Sequence, residues 1–211
     1  MKILLYGGTF DPPHWGHINN LRAAMQAVQP DKVIVMPAGI PPHKAASATP
    51  GSLRLQMCRC FLQLGEQVEI SDWEITREGK SYTVNTLRML HSTYPDAQLY
   101  LTVGSEYPDA QLYLTVGSDM LTSFRTWREW QSILQLATLV VESREADDAA
   151  MLAEFADSLC GDGARVLFAR AKPVPMSSSE IRQGSVGAEA VPPEVWQIIS
   201  SRGLYQCEKG E

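Results

Sequence analysis

Apolar positions along this chain fall into two patterns. Short aliphatic runs such as Ile3-Leu4-Leu5-Tyr6 and Val33-Ile34-Val35-Met36 alternate with longer stretches in which apolar residues recur every three or four positions. The short runs show no polar alternation, as expected for strands buried on both faces of a parallel sheet. They predict strands at Lys2–Tyr6, Lys32–Pro37, Val68–Ser71, Gln111–Val116, Thr138–Glu142 and Arg165–Phe168. Between them run helical stripes: Ile18, Leu21, Met25 and Val28; Leu53, Met57, Cys60/Phe61 and Leu64; Met151, Leu152, Phe155 and Leu159. Val195, Ile198 and Ile199 predict a last helix after Pro192-Pro193. Strand and helix patterns in alternation imply βαβ units, hence an α/β fold with a doubly wound parallel sheet. The Pro-, Ala- and Ser-rich stretch from Pro37 to Pro50 and the stretch Lys172–Ser179 are expected to be loops.

One segment interrupts the pattern. Tyr94–Ser105 (YPDAQLYLTVGS) recurs unchanged at Tyr107–Ser118, a tandem duplication with a 13-residue period. Two copies of so short a unit do not make a repeat architecture. Both carry the same strand pattern, so burial cannot choose between them and the flanks must. Only the second runs directly into Asp119 and Phe124–Trp127. The expectation is that Gln111–Val116 fills the sheet and that Tyr94–Glu106 is extruded as a loop, after a helix starting near Tyr82.

Composition narrows the function classes. The 211 residues suit one domain, 1–211, with 45 % hydrophobic and 20 % charged residues and no disorder bias. No apolar run approaches a membrane span or the core of a secretory leader, so no membrane partner is expected. Eighteen Lys and Arg against 24 Asp and Glu give a net charge of −6, which argues against a nucleic-acid partner but not against a small phosphorylated ligand. Cys58, Cys60, Cys160 and Cys207 lack C-x-x-C spacing, and Cys58 and Cys60, two apart on a predicted helix, should point in different directions. Reduced cytoplasmic thiols and no protein-held metal site are the expectation.

Two strings carry candidate chemistry. Gly7-Gly8-Thr9-Phe10-Asp11-Pro12-Pro13-His14-Trp15-Gly16-His17 follows the first strand and opens the first helix, where an open α/β sheet binds ligands. Gly7 and Gly8 let backbone approach a phosphate, Gly16 removes a Cβ from the packing, and His14 and His17, three apart, can face one side of the first turn. This is neither a Walker A loop nor G-x-G-x-x-G. Asp11, before a proline, is equally readable as a turn former or a ligand contact. The second string, Met176-Ser177-Ser178-Ser179-Glu180-Ile181-Arg182, reads as a helix start with hydroxyls and N–H groups open to an anion, and Arg182 supplies a fork that matches phosphate oxygens.

GGTFDPPHWGH and SSSEIR together resemble the signatures of the nucleotidyltransferase superfamily with the H-x-G-H motif. Pro41-Pro42-His43-Lys44, Gly79-Lys80-Ser81-Tyr82-Thr83 and Val116-Gly117-Ser118-Asp119 followed by Phe124-Arg125-Thr126-Trp127 are similar to bacterial nicotinate mononucleotide adenylyltransferases, and so is the closing Arg202-Gly203-Leu204-Tyr205. Departures are Ser179 where Thr is more usual, Asn85 where Asp is common, and the duplication. The resemblance implies a Rossmann-like fold and adenylyl transfer from ATP to nicotinate mononucleotide with release of pyrophosphate, in NAD biosynthesis. It implies His14, His17 and Arg182 as catalytic residues, with His17 at the α-phosphoryl group. Gly7, Gly8, Thr9, Phe10, Gly117, Asp119, Ser178 and Ser179 complete the ATP site, Asp119 at the ribose. Lys44 would meet the acceptor phosphate, Tyr82 and Thr83 the nicotinate end, and Trp127 would stack on the pyridinium. N–H groups of a helix opening near Thr126–Arg128 would receive the nicotinate carboxylate. Mg²⁺ would come with ATP, held mainly through water. The alternatives are a sister enzyme taking nicotinamide mononucleotide or phosphopantetheine, a cytidylyltransferase, and a nucleotide-binding protein inactivated by the duplication.

Overall fold

A computed structural model describes residues 1–41, 47, 49–94, 111–142, 149–170, 174 and 176–205. Six strands form one all-parallel sheet: β1 (Lys2–Gly8), β2 (Lys32–Pro37), β3 (Val68–Ile70), β4 (Gln111–Gly117), β5 (Thr138–Glu142) and β6 (Val166–Ala169), in the order β3-β2-β1-β4-β5-β6. The chain steps outward from β1 to β3, then crosses back to lay β4 on the other side of β1. At that reversal the connections leave the carboxyl ends of β1 and β4 in opposite directions and a crevice opens between them.

Side-chain alternation explains why both faces are buried. Along β1, Leu4 and Tyr6 join one apolar cluster while Ile3 and Leu5 join the other. The first cluster is closed by α1 (Trp15–Val28), α2 (Gly51–Met57) and the last described helix, Pro193–Ser201. The second is closed by α4 (Thr83–Thr93), which follows the single turn α3 (Trp73–Thr76), and by α5 (Ser118–Thr122), α6 (Trp130–Leu136) and α7 (Ala149–Gly161). α8 (Ser178–Arg182) and α9 (Pro193–Ser201) end the described chain.

The six predicted strands are all present, with shifts at their ends. β1 continues two residues past Tyr6 because Gly7 and Gly8 stay in register with Met36 and Pro37 of β2. β6 is displaced one residue, to Val166–Ala169. The stripe from Leu53 to Leu64 does not form one continuous α-helix: α2 ends at Met57 and a 3-10 helix runs from Cys58 to Leu64. Its three-residue turn puts Cys58, Phe61 and Leu64 in line. Cys58 and Cys60, two apart and so off that line from each other, are both buried in the first cluster, and burial pushes both thiols up. The second copy of the duplication occupies the sheet as β4, next to β1, as the flanking residues required. The expected loop at Tyr94–Glu106 lies outside the described residues from position 95 on.

Candidate functional site

The crevice at the strand reversal is a cleft of about 1490 Å³, above the size usual for one drug-sized ligand and roomy enough for two. It is lined by Gly7, Gly8, Thr9, Phe10, His14, His17, Tyr82, Thr83, Gly117, Trp127, Ser178, Ser179 and Arg182. Of the other predicted residues, Lys44 lies outside the described ones. Asp119 stands in the first turn of α5, and its side chain is not described.

At the nucleotide end, the two glycines do different work. A Cβ on Gly7 would meet nothing within 4 Å, whereas one on Gly8 would lie 2.8 Å from the Phe10 ring. Both line the cleft; at Gly7 the Cβ position is open, and at Gly8 it is filled by the Phe10 ring. Phe10 turns its backbone to φ +49° and buries its ring against Tyr6, Phe61 and His17, at centroid distances of 5.5, 5.3 and 5.2 Å. Its contribution to the cleft is backbone. Gly16 is needed because a Cβ there would sit 2.9 Å from the His14 ring. That ring lies 3.8 Å from the ring of His17, and the His14 N–H donates to His17 Nδ1 at 3.3 Å. In the neutral imidazole this bond puts the proton of His17 on Nε2.

The second motif closes on the first. Ser177 caps α8, accepting from the Glu180 N–H at 3.2 Å while its own N–H donates to Glu180 Oε2 at 2.7 Å, a reciprocal capping box. Ser178 Oγ donates to the Pro12 carbonyl at 2.8 Å. Arg182 Nη1 donates to the Asp11 carbonyl at 2.6 Å and Nη2 to Ser179 Oγ at 3.0 Å. Asp11 is 6 % exposed, and its carboxylate accepts from Tyr205 Oη and Ser47 Oγ, each at 2.7 Å. These partners are 36 and 194 residues away, so the carboxylate ties distant segments together at the edge of the cleft that Asp11 lines. Burial and the neighbouring Asp11 carboxylate push the Tyr205 phenol up, so it acts as a proton donor throughout the neutral range.

The acceptor end is assembled by α4 and the segment after α5. Tyr82 caps α4, Thr83 begins it, and Trp127 packs on Phe124 at 5.1 Å. The helix expected to open near Thr126–Arg128 is α6, which begins at Trp130 after Glu129 at φ +53°; a short 3-10 turn, Phe124–Thr126, precedes Trp127. Arg128 stands on the same wall: its guanidinium lies 4.8 Å from the centre of the Tyr82 ring, and the residue lines the cleft.

Two charged side chains, Arg54 buried and Glu74 half-buried, carry no mark in the sequence motifs. Arg54, 3 % exposed, donates to the carbonyls of Thr49, Thr9 and Gly39 at 3.3, 2.8 and 3.4 Å. A signal existed: Arg54, Met57, Cys58 and Phe61 share the spacing of one buried helical face. Glu74 is half-buried, and its Oε1 accepts from the Thr86 hydroxyl at 2.5 Å. Burial nevertheless raises its carboxyl above the usual range.

Residues 5–184 match the cytidylyltransferase-like family. The chain is 34 % identical to an Acidithiobacillus ferrooxidans protein named "Probable nicotinate-nucleotide adenylyltransferase", over 97 % of this chain and 95 % of that one. A Shouchella clausii protein of the same name is also 34 % identical, over 97 % and 96 %. The fold resembles that of Plasmodium falciparum nicotinic acid mononucleotide adenylyltransferase complexed with NaAD, with a TM-score of 0.68 at 17 % identity over 97 % of both chains.

Proposed function

The chain belongs to the cytidylyltransferase-like family and, within it, to the nicotinate-nucleotide adenylyltransferases, and from that premise we propose how its cleft carries out the reaction. The acceptor is nicotinate mononucleotide. Its phosphate oxygen attacks the α-phosphorus of ATP, the bond to the bridging oxygen breaks, and pyrophosphate leaves with that electron pair while nicotinate adenine dinucleotide forms. A phosphate is already an anionic nucleophile, so the protein supplies position and charge neutralisation rather than a base. The observation that carries this reading is that one cleft gathers both phosphate motifs and the Tyr82–Trp127 wall at the strand reversal.

Gly7 and Thr9 offer backbone to the triphosphate, and His17 donates from Nε2 to the α-phosphoryl oxygens as charge develops, with His14 stacked beside it. Ser179 and Arg182 face the departing phosphates, and the bond from Arg182 to Asp11 fixes its charge at that edge. Gly117 and Asp119 are assigned to the nucleoside, Lys44 to the acceptor phosphate. Trp127 stacks on the pyridinium while Tyr82, Thr83 and Arg128 meet the carboxylate end. Among the described residues no three His, Cys, Asp or Glu come together as a metal cage. Mg²⁺ is therefore assigned to the triphosphate itself, neutralising charge as it is carried in. Among the described residues no helix is long and apolar enough to cross a membrane. We assign the reaction to the cytoplasm, which suits the protonated thiols of Cys58 and Cys60.

Pyrophosphate release tests the assignment. With ATP and Mg²⁺, nicotinate mononucleotide should support turnover at a higher kcat/KM than nicotinamide mononucleotide, because Arg128 and Thr83 favour an anionic end over a neutral amide. Equal values, or faster turnover with phosphopantetheine, would overturn the acceptor assignment.

A further inference from the structure

We propose that Arg54 is a positioning residue for adenylyl transfer: its buried guanidinium sets the separation between the wall that binds ATP and the wall that binds the acceptor. The inference rests on the two-substrate reading of the cleft. Arg54 comes from α2, below the cleft, and is absent from the cleft lining. Nη1 reaches the Thr9 carbonyl, one residue after β1, and Nη2 the Gly39 carbonyl, two residues after β2. The other face of Gly39 belongs to the acceptor side: its N–H donates to Ser81 Oγ at 3.1 Å, and Ser81 precedes Tyr82 and Thr83. A Cβ on Gly39 would lie 2.1 Å from the Glu74 carbonyl, so this backbone has no slack on that side. One planar fork thus joins the nucleotide loop to the acceptor loop through a single residue, Gly39, whose carbonyl meets Arg54 and whose N–H meets Ser81.

Burial works against the charge of Arg54, and the four ion pairs among the described residues do not include it. Asp11 helps from a distance, through space. A guanidinium kept in so unfavourable a place, and matched by carbonyls rather than by a carboxylate, is there for its geometry. In-line transfer needs the attacking oxygen close to and aligned with the α-phosphorus, and a displacement of about 1 Å costs roughly 10²-fold in rate. Lysine keeps the charge but is a point donor; it cannot hold two carbonyls at the spacing of a fork.

The test compares R54K and R54Q with the wild-type enzyme by steady-state pyrophosphate release, scaled to folded protein from the thermal transition. The expected result is a kcat loss of roughly 10- to 100-fold in both variants, with KM for ATP and for nicotinate mononucleotide each within about threefold. A kcat unchanged per folded molecule, with only a lower Tm, would make Arg54 purely structural and overturn the proposal. Restoration by lysine together with a raised KM for ATP in R54Q would overturn it in favour of charge. Should neither variant fold, S81A probes the same linkage from the acceptor end. A kcat loss at constant KM supports the proposal, and wild-type kcat refutes it. Absence of turnover in the wild type would refute the two-substrate reading instead, independently of these ratios.

Discussion

The amide of His14 holds the His17 ring by Nδ1, and the proton of the neutral imidazole is left on Nε2, from which a phosphoryl oxygen can be met. H17A should lower kcat by roughly 10²–10³ with Tm nearly unchanged, since a half-buried imidazole contributes little packing; single-turnover rates and thermal melts check both halves. Glu74 makes a prediction about pH. Its carboxyl is raised by burial, so the folded state holds its proton more tightly than the unfolded chain. The stability linked to that proton is complete below the unfolded carboxyl range and is lost as pH rises through the folded value. E74Q removes the titration, and its Tm relative to wild type should increase from pH 4 to pH 8; a constant difference would contradict the linkage. Both histidines, the serine run and Arg182 were legible because each stands in a dense string of turn and cap residues, whereas Trp127 was legible only through the family resemblance. Arg54, Glu74 and the bond between Asp11 and Tyr205 were not. A lone charge in a helix reads as solvent-facing, and partners 194 residues apart leave no local trace.

Element existence followed from periodicity, and the errors fell where periodicity has no voice. Glycine ends a pattern in sequence, yet Gly7 and Gly8 prolong β1 because pairing with β2 needs no side chain. The change from α2 to a 3-10 turn keeps a similar apolar spacing and is invisible in it. The duplication was decided at element scale by its flanks, and it sets a test there. Helix α4 ends at Thr93 and β4 begins at Gln111. Removing Tyr94–Glu106 leaves Tyr107-Pro108-Asp109-Ala110 as the connection, a length ordinary for a helix-to-strand loop. The shortened loop should stabilise the fold by about 1 kcal/mol through closure entropy, or roughly 2–4 °C in Tm, with turnover retained. A loss of the sheet, seen by circular dichroism, would mean that the first copy takes part in it.

Across the whole molecule, the sheet order that places the cleft also divides its ownership. Residues up to Tyr94 contribute β3-β2-β1, both histidines, Arg54 and the Tyr82–Thr83 wall; residues from Gln111 contribute β4-β5-β6, Trp127 and the α8 cap. The halves share both apolar clusters, and they meet along a ladder from Lys2 opposite Gln111 to Leu5 opposite Leu114 and through bonds such as those from Arg182, Ser178 and Tyr205 to Asp11 and Pro12. Expressed as separate fragments, 1–94 and 107–211 should each be silent in pyrophosphate release and regain it on mixing. Activity in either fragment alone would contradict this division. The enzyme is in this sense a heterodimer written on one chain: its active site is an interface, and because both apolar clusters span that interface, a change that parts β1 from β4 should cost catalysis and core together.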